Sequence, residues 1–229
     1  MTAIILVEPQ MGENIGAAAR IMYNFGFNDL RIVNPRDGWQ GTNVYDKAHE
    51  MSAHADWIIE KAKLFDSTEA AIADLEYVYA ASARPRDMTK EVITPREIEL
   101  KGKTGFMFGR ESNGLTNEQI MLANKIITIP VNPEYSSINI SMSVGIICYE
   151  ASQQSLQKPE FEMATKADID SLIKHFETEL DKTDFFSVPR KKPGMMLNFS
   201  NIFTRSNLTA QEVRTLRGVI RALTENGNS

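Results

Sequence analysis

The sequence holds one cysteine, Cys148, so no disulfide closes within the chain and no Cys-rich zinc site is available. With 11 methionines beside it, this points to a reducing, cytoplasmic setting. Long apolar runs are also missing, and nothing approaches the ~18 residues of a membrane span. The N-terminus enters Ala3-Ile4-Ile5-Leu6-Val7 without a basic region or cleavage site, and reads as a first strand rather than a signal peptide. Basic excess is absent too: 25 Lys and Arg stand against 30 Asp and Glu. A whole-chain nucleic-acid signature is thereby excluded. The distribution says more than the total. Residues 1–184 carry 18 basic and 28 acidic side chains, a balance of −10, whereas residues 185–229 carry 7 and 2, a balance of +5. The C-terminal segment therefore has a local field that suits a polyanion, a solvated basic surface or a dimer contact.

Several familiar chemical signatures are missing. There is no Gly-x-Gly-x-x-Gly, because Gly12 and Gly16 are too far apart for it, and no P-loop lysine. His49 and His54 are five apart, which sets their imidazoles roughly 140° apart on a helix, too far to pinch one metal. No metal is called for elsewhere in the sequence. In Gly109-Arg110-Glu111-Ser112-Asn113-Gly114 the serine is one place late for a nucleophile elbow. Cys148 lies in an apolar helical stretch and reads as a buried thiol, and His175 reads as a surface residue.

What the chain does contain, up to about residue 155, is an alternation of short apolar runs with helical ones. Ala3–Val7, Leu30–Val33, Ala62–Phe65, Tyr77–Ala81, Gly105–Phe108 and Ile126–Ile129 are the strand candidates. Short, continuous apolar runs suit parallel strands covered on both faces. Asn14 is placed to cap a helix from Ile15 to about Phe25, with Gly26 as its stop. Thr94–Glu97 and Thr116–Gln119 have the form of capping boxes. A long helix of small and apolar residues follows from about Ile140 to Gln157. The pattern implies a doubly wound α/β layer over 1–157. Residues 160–229 read as a helical extension. In it Arg190-Lys191-Lys192-Pro193-Gly194 forms an exposed loop, and Thr209–Glu212 caps a last helix with Val213, Leu216 and Ile220 on one face.

Three segments carry more than packing needs. Glu8–Arg20 runs from the first strand into the first helix, with Asn14 and Arg20 six apart and small residues from Gly16 to Ala19 suited to close packing. Phe106–Thr116 is a strand end, a polar turn and a capped helix, and ligands of open α/β sheets bind at such carboxyl ends. Ile129–Asn139 places Ser136, Ser137 and Asn139 at the start of the long helix, more polar groups than one cap requires.

Taken together, these segments resemble the three motifs of the SPOUT superfamily, and within it the SpoU/TrmH class of RNA ribose 2′-O-methyltransferases. Ser137-Ile138-Asn139 stands where that class has Ser-Leu-Asn. Ala81–Arg86, Asn132–Ser137 and the tail Leu208–Glu212 with Leu216-Arg217-Gly218 are similar to a TrmJ-type subgroup acting on tRNA. The resemblance implies a trefoil-knotted parallel-sheet α/β domain with a C-terminal helical extension, a homodimer, and S-adenosylmethionine bound in the knot. Its implied pocket residues are Ala81, Ser82, Ala83, Gly109, Ile129, Val131, Ser137, Ile138 and Asn139. Its implied catalytic group is Arg20 with Asn14, Glu111, Ser137 and Asn139. Arg20 stabilises developing charge on a ribose oxygen more readily than it acts as a base, because a guanidinium keeps its proton to pH above ~12. Glu111 orders the motif-two turn or holds Arg20. RNA contacts are expected from Arg84, Arg86, Arg190, Lys191, Lys192 and Arg205. The subgroup implies the ribose at tRNA position 32. A ribosomal RNA target, another tRNA position, or a non-catalytic RNA-binding factor are the alternatives.

Overall fold

The computed structural model describes residues 2–83, 90–153 and 161–225. Seven strands form one sheet: β1 (Thr2–Val7), β2 (Asp29–Val33), β3 (Lys63–Phe65), β4 (Tyr77–Ala81), β5 (Val92–Ile93), β6 (Thr104–Phe108) and β7 (Lys125–Ile127). Their order is β3-β2-β1-β6-β4-β7-β5, and every pairing is parallel. Alternate side chains of β1 enter opposite cores. Ile4 and Leu6 pack in one cluster, Ala3, Ile5 and Val7 in the other. Both faces of the central strands are covered, which is why β1, β4 and β6 read as continuous apolar runs. The six strands expected from sequence are present within two residues at each end. The two-residue β5 has too little pattern to be read in advance.

On one face, α1 (Gly12–Asn24) packs between α2 (Asn43–Met51) and α6 (Ile140–Ser152). The small residues of α1 serve α2. A Cβ on Gly12 would lie 2.2 Å from the Val44 carbonyl oxygen, and one on Gly16 would lie 2.2 Å from that of Ala48. Short α3 (Asp56–Glu60), α4 (Thr68–Ile72) and α5 (Asn117–Met121) complete the layers. The capping boxes at Thr94 and Thr116 both form, although the first opens only a 3-10 turn. Gly26 ends α1 with φ +79°. Asn14 is not the cap of that helix: α1 starts at Gly12, Met11 is its N-cap residue, and Asn14 lies inside the first turn. The described part of α6 ends at Ser152, and the expected continuation to Gln157 lies outside the described residues.

The C-terminal part is α7 (Lys166–Leu180), α8 (Lys192–Arg205) and α9 (Ala210–Glu225), with a core of its own built on Ile169, Leu172, Val213 and Ile220. Arg190–Gly194 is not a loop. Pro189–Lys191 is a 3-10 turn, and α8 begins at Lys192 with Pro193 in its first turn, where the missing N–H costs no bond. His175 is half-buried rather than at the surface, and its Nδ1 is enclosed without a partner. The helices dock on the sheet domain through polar groups. Lys166 and Ala167 donate backbone N–H to Leu75 and Ala73 carbonyls, at 2.9 and 3.2 Å. Lys90 Nζ reaches Ala123 O at 2.6 Å and Thr204 Oγ1 at 3.1 Å, Asn124 Nδ2 reaches Thr204 O at 2.9 Å, and Lys166 donates to Asn124 Oδ1. Burial lowers Lys166 to about 7 and Lys90 to about 8, each further depressed by a cationic neighbour. No helix among the described residues is long and apolar enough to cross a membrane.

Candidate functional site

Parallel strands bring their carboxyl ends to one edge of the sheet. There, the loops after β4, β6 and β7 surround a cavity of about 270 Å³. Ala81, Ser82 and Ala83 come from the first loop, Gly109 and Glu111 from the second, and Ile129, Ser137 and Ile138 from the third. Each is a sequence candidate, and they are assembled. Ser136, noted at the start of the long helix, lines the cavity too, and Phe108, Arg110, Ser112, Asn113, Gly114, Ile127, Ile140 and Ser143 also line it and were not singled out. Most lie inside the three segments, so the segments were sound markers but their individual side chains were not. Val131 is exposed and outside the lining.

The second loop is folded tightly. Gly114 N donates to the Arg110 carbonyl at 2.8 Å, and Gly114 has φ +69°. A Cβ on Gly109 would lie 2.1 Å from the Gly114 carbonyl carbon and the Leu115 nitrogen, so this position admits no side chain. Ser82 is fixed across the cavity's base: its N–H donates to Ile127 O, and Thr128 Oγ1 donates to its carbonyl, both at 3.0 Å.

One network joins all three segments. Glu111 accepts from Gln10 N at 3.1 Å, Met11 N at 3.2 Å and Asn14 Nδ2 at 3.1 Å. A carboxylate from the second segment thus sits at the N-terminus of α1, where Met11 supplies no side-chain cap and the helix favours negative charge. Asn14 Oδ1 in turn accepts from Asn139 Nδ2 at 2.9 Å, and Asn139 Oδ1 caps α6 through Ser141 N at 2.9 Å. The partners of Glu111 are Asn14 and the loop before it, in the first segment, rather than Arg20 or its own turn. Arg110, half-buried, pairs with Glu8.

Arg20 is exposed on α1 and is not among the residues lining the cavity. Six residues of helix turn it about 120° away from Asn14. Cys148 is buried and its thiol is pushed up to about 12, which suits packing and not nucleophilic attack. His49 lies 3.7 Å from Glu60. Of the RNA candidates, Arg84 and Arg86 lie outside the described residues. Arg190, Lys191 and Arg205 are exposed. Lys192 is engaged by Glu177 at 3.0 Å and Asp181 at 2.8 Å, so its charge is already answered within the helical part.

A parallel α/β sheet with a cavity between carboxyl-end loops, tied by motif residues far apart in sequence, defines a ligand-binding α/β protein. The SpoU rRNA Methylase family matches residues 1–149, and the chain belongs to that family. Residues 167–229 match the C-terminal domain of the tRNA methyltransferase TrmJ. The chain is 32% identical to the tRNA (cytidine-2′-O-)-methyltransferase TrmJ of Methanocaldococcus jannaschii, over 96% of this chain and 99% of that one. It is likewise 32% identical to the tRNA (cytidine/uridine-2′-O-)-methyltransferase TrmJ of Escherichia coli K12, over 96% and 94%. The crystal structure of TrmJ from Z. mobilis ZM4 superposes with a TM-score of 0.88 at 39% identity, over 97% of this chain and 99% of that one.

Proposed function

We propose that this chain methylates a ribose 2′-hydroxyl of tRNA, at position 32 of the anticodon loop, with S-adenosylmethionine as donor. The observation that carries the reading is the Glu111–Asn14–Asn139 network, which holds all three segments around one cavity. The cavity suits the donor. Ile129 and Ile138 offer apolar walls to an adenine, while Gly109 lets backbone approach closely. The missing glycine fingerprint fits as well, because this cofactor has no pyrophosphate to cradle. When bound, the donor supplies a methyl group activated by its sulfonium charge. The protein's part is alignment and charge stabilisation. Ser137, at the cavity wall, is placed to hold the acceptor hydroxyl, and Asn14, Asn139 and Glu111 to keep the loops in register. The TrmJ-type resemblance implies position 32, and an anticodon-loop ribose is accessible in a single strand. A structure concerned with 2-OH methylation of C/U34 on tRNA resembles 67% of the chain at 26% identity with a TM-score of 0.54, which makes position 34 the second reading.

Arg20 takes its role in this reading from a second copy of the chain. On α6, Met142, Ile146 and Tyr149 stand exposed at helical spacing, and Tyr23 is exposed on the neighbouring α1. Such a patch fits a homodimer interface. A partner packed there would bring its own Arg20 toward the cavity, where a guanidinium grips phosphate and stabilises a developing alkoxide. The proposal extends to a knotted domain over 1–157, consistent with late strands β6 and β7 lying between earlier neighbours, and to a helical domain over 160–229. There Arg190, Lys191 and Arg205, with Arg84 and Arg86, would contact RNA phosphates. The setting is cytoplasmic, and no metal takes part. Calorimetry with S-adenosylmethionine followed by mapping of ribose methylation in tRNA tests the reading. Absence of cofactor binding, or methyl incorporation at a base, would overturn it.

A further inference from the structure

Tyr135 is the most exposed of the large apolar side chains among the described residues, at 77%. Its loop is closed locally: Asn132 Oδ1 accepts from Glu134 N, and the Asn132 carbonyl accepts from Tyr135 N, both at 3.0 Å. The next two residues, Ser136 and Ser137, line the cavity, and Asn139 ties the far end of the loop to Asn14. A turn of fixed shape therefore carries an uncovered aromatic ring at the cavity's lip. An aromatic face in water forfeits the gain of burial, and a nucleobase is a planar partner that recovers it. The exposed carboxylate of the preceding residue, Glu134, disfavours a phosphate at this turn and leaves the neutral base as the suitable group. We propose that Tyr135 is a positioning residue that stacks on the base of the acceptor nucleotide and so presents its ribose 2′-hydroxyl to the cavity. This inference rests on the ribose-methylation reading above.

The test is methylation kinetics of the full-length protein on tRNA, with Tyr135→Ala, Tyr135→Phe and an otherwise identical tRNA whose acceptor nucleotide lacks its base. Stacking of one base predicts a roughly 10–100-fold loss of kcat/KM in Tyr135→Ala and near-wild-type activity in Tyr135→Phe, since the hydroxyl plays no part. The abasic acceptor should cost the wild type a similar factor and cost Tyr135→Ala nothing further. Cofactor affinity and oligomeric state should be unchanged in both variants. Equal activity of Tyr135→Ala and wild type would overturn the inference. So would an equal loss in Tyr135→Phe, weakened cofactor binding, dissociation of a dimer, or an undiminished penalty for the abasic tRNA in Tyr135→Ala. A wild type inactive on every tRNA would instead overturn the ribose-methylation reading itself.

Discussion

Glu111 accepts from two backbone amides and from Asn14, so its effect is exerted on geometry. Glu111→Gln turns one acceptor oxygen into a donor that faces other donors. A hydrogen bond to a charged group contributes about 1.5–3 kcal/mol, so kcat/KM is expected to fall about 10-fold or more while circular dichroism stays native. Full activity in this variant would show that the network does not set the site. Gly109→Ala is expected to abolish cofactor binding in calorimetry, because its Cβ would meet main-chain atoms at 2.1 Å. Retained affinity would mean that the 110–114 turn shifts freely. Asn139 was legible because the polar residues before α6 exceeded the need of one cap, whereas Asn14 and Glu111 became candidates through the family resemblance. Their connections were not legible. Asn14 has the form of a local helix cap, whereas its carboxylate partner lies 97 residues away. Capping signals in sequence describe near neighbours, and a cap delivered by another loop leaves no local trace.

At the scale of elements, the sheet was the most readable part, since burial on both faces writes continuous apolar runs into β1, β4 and β6. The start of α8 was not readable, because Pro and Gly beside three cations also suit a turn, and only packing decides between them. The same helical part holds a titratable feature. Lys166, lowered to about 7 by burial and by Lys90, takes up a proton in the unfolded chain near the ordinary 10.5. Between about pH 7 and 10 the unfolded state therefore binds more protons, and stability rises with pH across that window. Below about 7 the ammonium is buried at full cost. Melting temperature is expected to climb by several degrees from pH 7 to 9, at about 2–4 °C per kcal/mol for a chain of this size. Lys166→Met should flatten that rise, and an unchanged slope would show that Lys166 does not titrate in the window.

For the whole molecule, Arg20 decides whether one chain suffices. Arg20 is exposed on α1 and outside the cavity lining, so in the proposed reading it would act in the site of a second protomer. Asp at Met142 and Ile146 together is expected to yield monomers by light scattering and to abolish methylation. Mixing Arg20→Ala with the cofactor-deficient Gly109→Ala should restore part of the activity that each lacks, because one hybrid site would hold an intact cavity and an intact partner Arg20. No recovery on mixing would place Arg20 outside catalysis or within its own chain's site. This relation was outside the reach of one sequence, since neither spacing nor periodicity shows which surface a second copy covers. The target of methyl transfer is read by incubating the purified protein with tRNA and methyl-labelled S-adenosylmethionine and locating the label by mass spectrometry. One label is expected on the ribose at position 32, lost when that ribose is 2′-deoxy. Label on a base, or its persistence on the deoxy substrate, would contradict it.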